Sequence, residues 1–267
     1  MSRLRLTKIS QPSNPPANTT ELYYDTTLNK PCAVDSSGNQ VVLGGFATKD
    51  YRLIRVTEIF QGTTSYTPTS GAKALFVECI GGGGSGGGCG TAATNAAAAG
   101  GGGGGAYSAV FTTSIKAFTV AVGAGGTAPA AGANNGNPGG DTTFDTGPSI
   151  CTAKGGSGGL SSTVTAGPVI GGAGGAGGAS ASGIGDMKAD GSAGGTGMML
   201  AAAQALSGAG GCSFEGSGSA LGGKAQGNGA TGGLYGGGGS GGCILSGGAA
   251  TSGGAGGNGI IRVWEFA

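Results

Sequence analysis

A single glycine-rich stretch, from Ile80 to Gly259, constrains this chain more than any other feature. It contains all but five of the 68 glycines in the 267-residue sequence, and several of its blocks are pure glycine, such as 81–84, 100–105 and 236–239. Glycine has no side chain to bury, and it loses more backbone entropy on ordering than any other residue. A folded body of this composition must therefore be held together mainly by its backbone.

Two familiar glycine-rich states can be compared with this composition. Collagen is excluded because the glycines keep no strict triplet period along the chain and there are only nine prolines. A solvated Gly/Ser linker would be more polar than this chain, in which charged residues are 9% and the mean hydropathy is +0.10. The Ala, Val, Ile, Leu and Met residues between the glycines therefore favour an ordered body over a disordered one.

The net charge of +1 argues against a nucleic-acid partner, because phosphate binding needs a concentrated basic surface. No stretch of about 18 apolar residues occurs, and the N-terminus lacks the apolar core of a secretory signal. We therefore expect no membrane insertion, and we expect synthesis in a cytoplasm without a signal peptide.

Histidine is absent, which removes Ser/His/Asp and Cys/His catalysis, and no CxxC pair occurs. A zinc site would need widely scattered thiolates, so we expect neither a metal nor a cofactor. The cysteines fit either free thiols in a reducing compartment or disulfides that form late, in oxidising surroundings. They are Cys32, Cys79, Cys89, Cys151, Cys212 and Cys243.

The N-terminal fifth of the chain is predicted to serve attachment. Residues 1–20 are expected to form an extended arm, because they carry the basic residues Arg3, Arg5 and Lys8 and three prolines. Residues 21–50 are expected to form a small antiparallel β module, which buries too little apolar area to be stable alone and so favours oligomerisation. Its strands are predicted at Thr20–Tyr24, Pro31–Val34 and Asn39–Leu43.

Residues 51–267 are predicted to form one glycine-rich β domain. Alternation in the last strand, Gly259–Ala267, places Ile261, Val263 and Phe266 toward a core and Trp264 on the other face. This strand is expected to pair with Lys73–Ile80 and close the glycine stretch into one unit. Further strands are expected at Arg52–Phe60, Asp141–Phe144 and Ser149–Ala153, and a hairpin is expected from Tyr107–Thr112 and Ala117–Val122.

Two structures fit the glycine stretch itself. Polyglycine can form an extended helix with three residues per turn, and such helices can bond to neighbours in several directions because no Cβ blocks their approach. In that geometry the three Gly-Gly-Ala triplets of 171–179 would present their alanines on one face. The alternative is a β sandwich with long glycine loops. The fold class is in both cases mostly β with a glycine-rich body and very little α.

Motifs that resemble enzyme sites are weak. Residues 218–224 fit the first seven positions of a phosphate-binding P-loop, but Ala225 stands where the magnesium-binding hydroxyl is needed, so chance explains the match. Two carboxylates could pair for glycoside hydrolysis, but nothing in the sequence selects the pair, and Asp186 to Asp190 is more simply a polar loop with a local ion pair. The carboxylates in question are Asp141, Asp145, Asp186, Asp190 and Glu215.

Binding residues are easier to nominate than catalytic ones. The segment Met198–Leu206 is rich in helix-forming residues, and its large apolar side chains Met198, Met199 and Leu200 are candidates for receptor contact if they are exposed. The favoured alternative is that this segment is buried as a cap on the glycine-rich body or lies in a subunit interface. Phe214 and Tyr235 are aromatic residues isolated among glycines. They are candidates for contact with a sugar or a protein loop, or for fixing loops onto the body.

Two parts of the sequence resemble bacteriophage proteins. Residues 15–45, with Pro16–Thr27 and Val34–Asn39, resemble the small β modules of phage fibres and virion appendages. Residues 52–267 resemble the glycine-rich domain of phage tail-fibre and adhesin proteins. The second resemblance rests on an ordered set of segments, which are Val77–Gly84, Phe118–Gly126, Gly139–Phe144 and Gly259–Trp264.

The resemblance implies a structural virion protein that is not an enzyme. Its N-terminal segment would attach to other virion proteins, and it would assemble as a homo-oligomer, with a trimer favoured. Its glycine-rich domain would be a layered array of polyglycine helices whose loops at one end touch a host glycan or outer-membrane protein. A capsid or neck decoration protein and a polysaccharide depolymerase are the alternatives.

Overall fold

The computed structural model describes residues 8–9, 13, 20–25, 30–37, 40–42, 52–92, 94–164, 167–219 and 226–267. The chain divides into two compact units, residues 1–51 and 52–267. The prediction of a mostly β protein with very little α is confirmed, since a single 3₁₀ turn, Ser180–Ser182, is the helical element of the described residues.

The first unit contains a four-stranded sheet in the order β1-β2-β3-β4. Strands β2, β3 and β4 are antiparallel, as the sequence predicts, and β1 pairs in parallel with β2. Tyr23, Cys32 and Val34 form its buried cluster. The side chains of Arg3, Arg5 and Lys8 lie outside the described residues. The strands are β1 (Lys8–Ile9), β2 (Thr20–Asp25), β3 (Lys30–Asp35) and β4 (Gln40–Val42).

The second unit begins with strands that form two facing sheets. A five-stranded sheet has the order β14-β9-β7-β18-β5, and a four-stranded sheet has the order β12-β11-β10-β6. Two small sheets, β13-β15-β16 and β17-β8, lie elsewhere in the unit. The strands are β5 (Leu53–Ile59), β6 (Gly62–Tyr66), β7 (Ala74–Ile80), β8 (Ala97–Ala98), β9 (Tyr107–Thr112), β10 (Phe118–Val122), β11 (Thr142–Phe144), β12 (Cys151–Ala153), β13 (Val169–Ile170), β14 (Met187–Ala189), β15 (Met198–Ala201), β16 (Gln204–Leu206), β17 (Cys243–Ile244) and β18 (Ile260–Phe266).

The two larger sheets pack as a β sandwich around an apolar core that includes Leu75, Val77, Phe118, Phe144 and Ile261. Strand β18 lies between β7 and β5 and pairs with β7 along its whole length, so the predicted closure of the glycine stretch is confirmed. Because side chains alternate across a strand, β18 buries every second residue against the other sheet.

One inward position of β18 was predicted wrongly. Ile261 and Val263 face the core and Trp264 faces away, as expected, but Phe266 shares the face of Trp264. The residue that follows Ile261 and Val263 on the inward face is Glu265, which is fully buried. The two-residue period of a strand leaves no other arrangement.

The predicted hairpin of β9 and β10 is also wrong. Strand β9 pairs with β7 and β14 in the five-stranded sheet, whereas β10 pairs with β6 and β11 in the four-stranded sheet. The five residues between the two strands carry the chain from one sheet to the other. Alternating apolar patterns specify which face of a strand is buried, but they do not specify the neighbouring strand.

The glycine-rich segments leave the sandwich and pack side by side as extended chains. The amides of segment 81–89 bond to three neighbouring segments in strict rotation, so that every third amide reaches the same neighbour. Their acceptors are, in chain order, the carbonyls of Ala106, Gly140, Gly257, Gly103, Asn137, Gly254, Gly100, Asn134 and Thr251. This three-residue rotation is the hydrogen-bond signature of packed polyglycine II helices, and we call the assembly the array.

The hydrogen bonds arrange the described segments of the array as an inner triangle within a closed ring. Three inner segments, 81–89, 99–106 and 236–243, bond to one another, and each bonds to six segments in all. Around them, consecutive perimeter segments bond to each other and the last bonds to the first. In ring order they are 123–126, 134–140, 154–162, 171–178, 191–197, 208–213, 217–219, 227–233 and 251–259.

This packing explains why the inner segments are nearly pure glycine. A Cβ placed at Gly84 or Gly103 would lie 2.1 or 2.0 Å from a neighbouring carbonyl oxygen, which no side chain can tolerate. Ala173 and Ala176 of the perimeter segment 171–178, and Ala179 directly after it, are exposed, as the triplet pattern predicts. The glycine stretch is therefore mainly an array, and the sandwich of the alternative interpretation lies at one end of it.

Candidate binding surface at the distal end of the array

The array has two different ends. Segment 81–89 starts directly after β7 and segment 99–106 leads directly into β9, so the sandwich lies at one end of the array. The opposite end, which we call the distal end, is made of the connections between segments. Its described residues are 90–92, 94–98, 127–133, 163–164, 167–170, 198–206, 226 and 244–250.

The largest distal connection is the hairpin of β15 and β16, to which β13 adds a third strand. The helix-forming composition of Met198–Leu206 is misleading here, because Met198 pairs with Leu206 and Met199 pairs with Ala205 in an antiparallel ladder. The hairpin joins segments 191–197 and 208–213, which are antiparallel neighbours in the ring. A hairpin suits this connection and a helix does not, so tertiary context overrides intrinsic propensity.

The hairpin anchors one of the three nominated apolar side chains and exposes two. Met199 is buried in a distal cluster with Ala97, Ala98 and Ile244. Met198 and Leu200 alternate with it and point outward, so that Leu200 is 57% exposed. On β13, which pairs with β15, Ile170 is 73% exposed. The distal end thus presents large apolar side chains on a hydrogen-bonded support.

A depression of about 330 Å³ lies beside these side chains. It is lined by Leu200, Ala203, Gln204, Ala205 and Leu206, so its walls are apolar apart from one amide side chain. Among the described residues of the distal end there is no aspartate, glutamate, lysine or arginine. These described residues therefore offer a partner shape, apolar contact and neutral hydrogen bonds.

The two nominated aromatic residues lie at the other end of the array. Phe214 stacks on Tyr107 of β9 with ring centroids 4.4 Å apart, and Tyr235 lies near Phe60 at 6.4 Å. The structure therefore does not bring Phe214 and Tyr235 together with Met198, Met199 and Leu200. Both rings cover ends of sandwich strands, although Phe214 remains largely exposed.

The five carboxylates that could have served hydrolysis are each engaged by a different partner. Asp141 pairs with Lys154 and Asp145 pairs with Lys116, in both cases at 2.6 Å. Asp186 accepts a hydrogen bond from the Phe111 amide, Asp190 accepts one from the Ser180 amide, and Glu215 binds Arg262 through both oxygens. The P-loop-like segment is described only as far as Ser219.

The prediction that residues 186–190 form a polar loop with a local ion pair is wrong. Residues 187–189 are strand β14, and the Lys188 ammonium bonds to the Gly183 carbonyl, not to a carboxylate. The hydrogen bond from the Ser180 backbone lowers the pKa of Asp190, which thus acts as a fixed acceptor for the turn at 180–182.

Sequence reasoning missed the buried carboxylate of Glu265. It accepts hydrogen bonds from the Arg55 guanidinium at 2.9 and 2.5 Å, from the Tyr66 hydroxyl, and from the Thr69 amide at 3.0 Å. Burial alone would raise the pKa of Glu265, but these hydrogen bonds outweigh it and hold the pKa below its ordinary value. Burial also raises the pKa of Tyr66 to about 12. The signal in the sequence is a charged residue at an inward position of an apolar strand.

The fold and the distal surface define a class of protein, a β sandwich continued by a polyglycine array that exposes apolar side chains at its distal end. The family comparison agrees with the composition, because residues 57–264 match the glycine-rich domain family, and the chain belongs to it. No curated protein matches the sequence. The described residues contain no group of three metal-ligating side chains and no helix suited to crossing a membrane.

Proposed function

We propose that this protein is a structural protein of a bacteriophage virion, a fibre or adhesin that projects from the particle and binds the host cell surface through the distal end of its array. The observation that carries the proposal is the set of exposed apolar side chains, Ile170, Met198 and Leu200, at the distal end. The resemblance to phage fibre and adhesin sequences supports the same function.

The array suits such a role because it holds its end rigidly. Successive amides of an inner segment bond to different neighbouring segments, so the connections at the distal end start from fixed points. A surface that is already ordered loses little entropy when it binds, and more of the contact energy then appears as affinity. Large apolar side chains exposed together around a concavity are typical of a binding surface.

The partners follow from the same proposal. The N-terminal residues, including Arg3, Arg5 and Lys8, would attach the protein to other virion proteins, and the protein would form a homo-oligomer, for which a trimer is the favoured state. Because the described residues of the distal end include no charged side chain, they favour a neutral glycan or an apolar loop of an outer-membrane protein as the receptor. Binding to such a receptor would depend little on salt, because screening acts on charges.

The test is the adsorption of purified protein to host cells and its competition with the phage. A double variant, Ile170→Ser with Leu200→Ser, is expected to weaken binding by tenfold or more, since each change removes about 1–2 kcal/mol of apolar contact. The matched control is Leu234→Ser, because Leu234 is 74% exposed at the sandwich end. The control protein should bind like the unmodified protein.

Three results would contradict the proposal. Absence of both adsorption and competition would favour a capsid or neck decoration protein with a structural role. Equal loss of binding in the double variant and in the Leu234→Ser control would move the binding surface away from the distal end. Release of reducing sugar from host polysaccharide would show a depolymerase, and it would overturn the expectation that the protein is not an enzyme.

A further inference from the structure

Two cysteines from opposite sheets meet in the core of the sandwich. Cys79 lies on β7 of the five-stranded sheet and Cys151 lies on β12 of the four-stranded sheet, and both side chains are fully buried in the same core cluster. Cys79 alternates with Leu75 and Val77, so its thiol points toward the facing sheet. The Cys151 thiol donates to the Ser108 carbonyl at 3.3 Å, and Ser108 is the cross-strand partner of Cys79.

The Cys151 thiol is also close enough to Cys79 to act on it. Burial, and after it the neighbouring Cys151 thiol, raise the pKa of Cys79 well above its ordinary value. Both cysteines are free thiols in the structure. The two sheets of a β sandwich pack about 10 Å apart, a separation that inter-sheet disulfides bridge in immunoglobulin domains.

We propose that Cys79 and Cys151 form a latent inter-sheet disulfide, which a small-molecule disulfide such as oxidised glutathione can close. The thiolate of one cysteine attacks the reagent, forms a mixed disulfide and releases one reduced glutathione. The second cysteine then attacks the mixed disulfide and releases a second reduced glutathione. The two cysteines lose their hydrogens and the reagent is reduced to two thiols, so atoms and electrons balance. This proposal does not depend on the proposed function.

The structure sets when this bond can form. Exchange requires a thiolate and access for the reagent, and the folded core withholds both. The bond therefore closes while the two sheets assemble, or when they open, and it is protected from reduction afterwards. It would tie β7 to β12 and enclose residues 80–150, which include the inner segments 81–89 and 99–106.

The position of the lysines makes the bond easy to map. Trypsin cuts after Lys73, Lys116 and Lys154, which places Cys79 in peptide 74–116 and Cys151 in peptide 117–154. Cys89 shares the first peptide, so the full chain is used with the substitution Cys89→Ala, which leaves one cysteine in each peptide. The protein is unfolded, refolded in a mixture of reduced and oxidised glutathione, alkylated and digested without reductant.

We expect the two peptides to be recovered mainly as one linked species, lighter by two hydrogens than the sum of the free peptides. The oxidised protein should unfold thermally about 10 °C above its reduced form, because the bond closes a long loop. That difference should vanish when Cys151→Ala is added to the same protein. The same mapping of the chain with Cys89 intact checks that Cys89→Ala has not created the pairing.

Alkylation of both Cys79 and Cys151 after refolding would overturn the proposal. Linkage of Cys151 to a cysteine other than Cys79 would overturn it equally. If the protein with Cys151→Ala does not refold, the peptide map still shows whether Cys79 and Cys151 are linked, because it requires only the Cys89→Ala protein. If neither chain refolds from denaturant, the native protein is held in the glutathione mixture near its unfolding midpoint, where the sheets open, and is mapped in the same way.

Discussion

Serine hydroxyls occupy two positions inside the array where a glycine would be expected. Ser85 and Ser240 each interrupt a pure glycine block and are fully buried. Each hydroxyl accepts a hydrogen bond from an amide of a perimeter segment, Ser85 from Asn137 at 2.7 Å and Ser240 from Ala230 at 2.8 Å. A buried amide without an acceptor is costly, so these hydroxyls replace carbonyls that the packing does not supply.

Removing the hydroxyl of Ser240 should therefore destabilise the protein. Ser240→Ala leaves the Ala230 amide without its acceptor, and we expect the free energy of unfolding to fall by about 1–3 kcal/mol. Ser157→Ala, on the exposed side of a perimeter segment, is the control and should change stability by less than about 0.5 kcal/mol. Urea unfolding of the two variants measures both values, and equal stabilities would contradict the role given to the hydroxyl.

The buried Glu265 predicts a specific dependence of stability on pH. Its folded-state pKa lies below the unfolded value, so the stability it contributes is present above the unfolded pKa and is lost as the pH falls through the folded pKa. Because the Arg55 side chain is 43% exposed, solvent screening weakens its part of this contribution.

Glu265→Gln keeps the shape of the side chain and removes its charge. We expect the free energy of unfolding at pH 7 to be lower than in the unmodified protein by roughly 1–3 kcal/mol. This difference should shrink as the pH falls below about 4, because the carboxylate of the unmodified protein then becomes protonated. Denaturant unfolding of both proteins at pH 7 and pH 3.5 makes the comparison. Glu58→Gln, at an exposed pair with Arg262, is the control. If the difference in free energy of unfolding between Glu265→Gln and the unmodified protein were the same at both pH values, the ionised carboxylate would not be the source of the stability.

At the scale of elements, the sequence predicts conformation better than it predicts neighbours. Alternation identified β7 and β18, and the Gly-Gly-Ala triplets identified the exposed alanines of 171–179, because each pattern follows from the geometry of one segment. The pairing of β9 and β10 and the conformation of Met198–Leu206 depend on which segments lie next to each other. That information is not local, so the predicted hairpin of β9 and β10 failed and the helix-forming composition of Met198–Leu206 was misleading.

The triplet phase can be tested without changing composition. Exchanging the order of Gly175 and Ala176, by Gly175→Ala with Ala176→Gly, turns the methyl group inward, where a Cβ at position 175 would lie 2.2 Å from the Ser157 carbonyl oxygen. We expect this exchange to cost about 3 kcal/mol or more, because the carbonyl belongs to a packed backbone. Thermal and urea unfolding measure the loss.

The matched control for the exchange is Ala176→Gly alone. It removes an exposed methyl group and adds a glycine to the unfolded chain, so we expect a loss of only about 0.5–1 kcal/mol. If the exchanged protein were as stable as this control, the phase of the triplets would not matter, and segment 171–178 would not be packed as described.

At the scale of the whole molecule, the array depends on contacts between residues that are distant in sequence. Segment 81–89 bonds to segments that begin as late as residue 251, and no side-chain pattern marks these partners because the bonds join backbone atoms, most of them in glycines. The sandwich strands position these segments, since segment 81–89 begins where β7 ends and segment 99–106 ends where β9 begins. A fold dominated by such distant pairings is expected to form slowly.

The inner triangle should be the most protected part of the chain in amide hydrogen exchange. Amides of 81–89, 99–106 and 236–243 are buried and bonded on every side, so they should exchange only when the whole unit unfolds. The distal hairpin 198–206, which is largely exposed, should exchange by local opening and serves as the internal comparison. Mass spectrometry of peptic fragments resolves these regions. If the glycine blocks exchanged as fast as the hairpin, the stretch from 80 to 259 would be a solvated linker, because only an ordered array can protect glycine amides that carry no side chains to shield them.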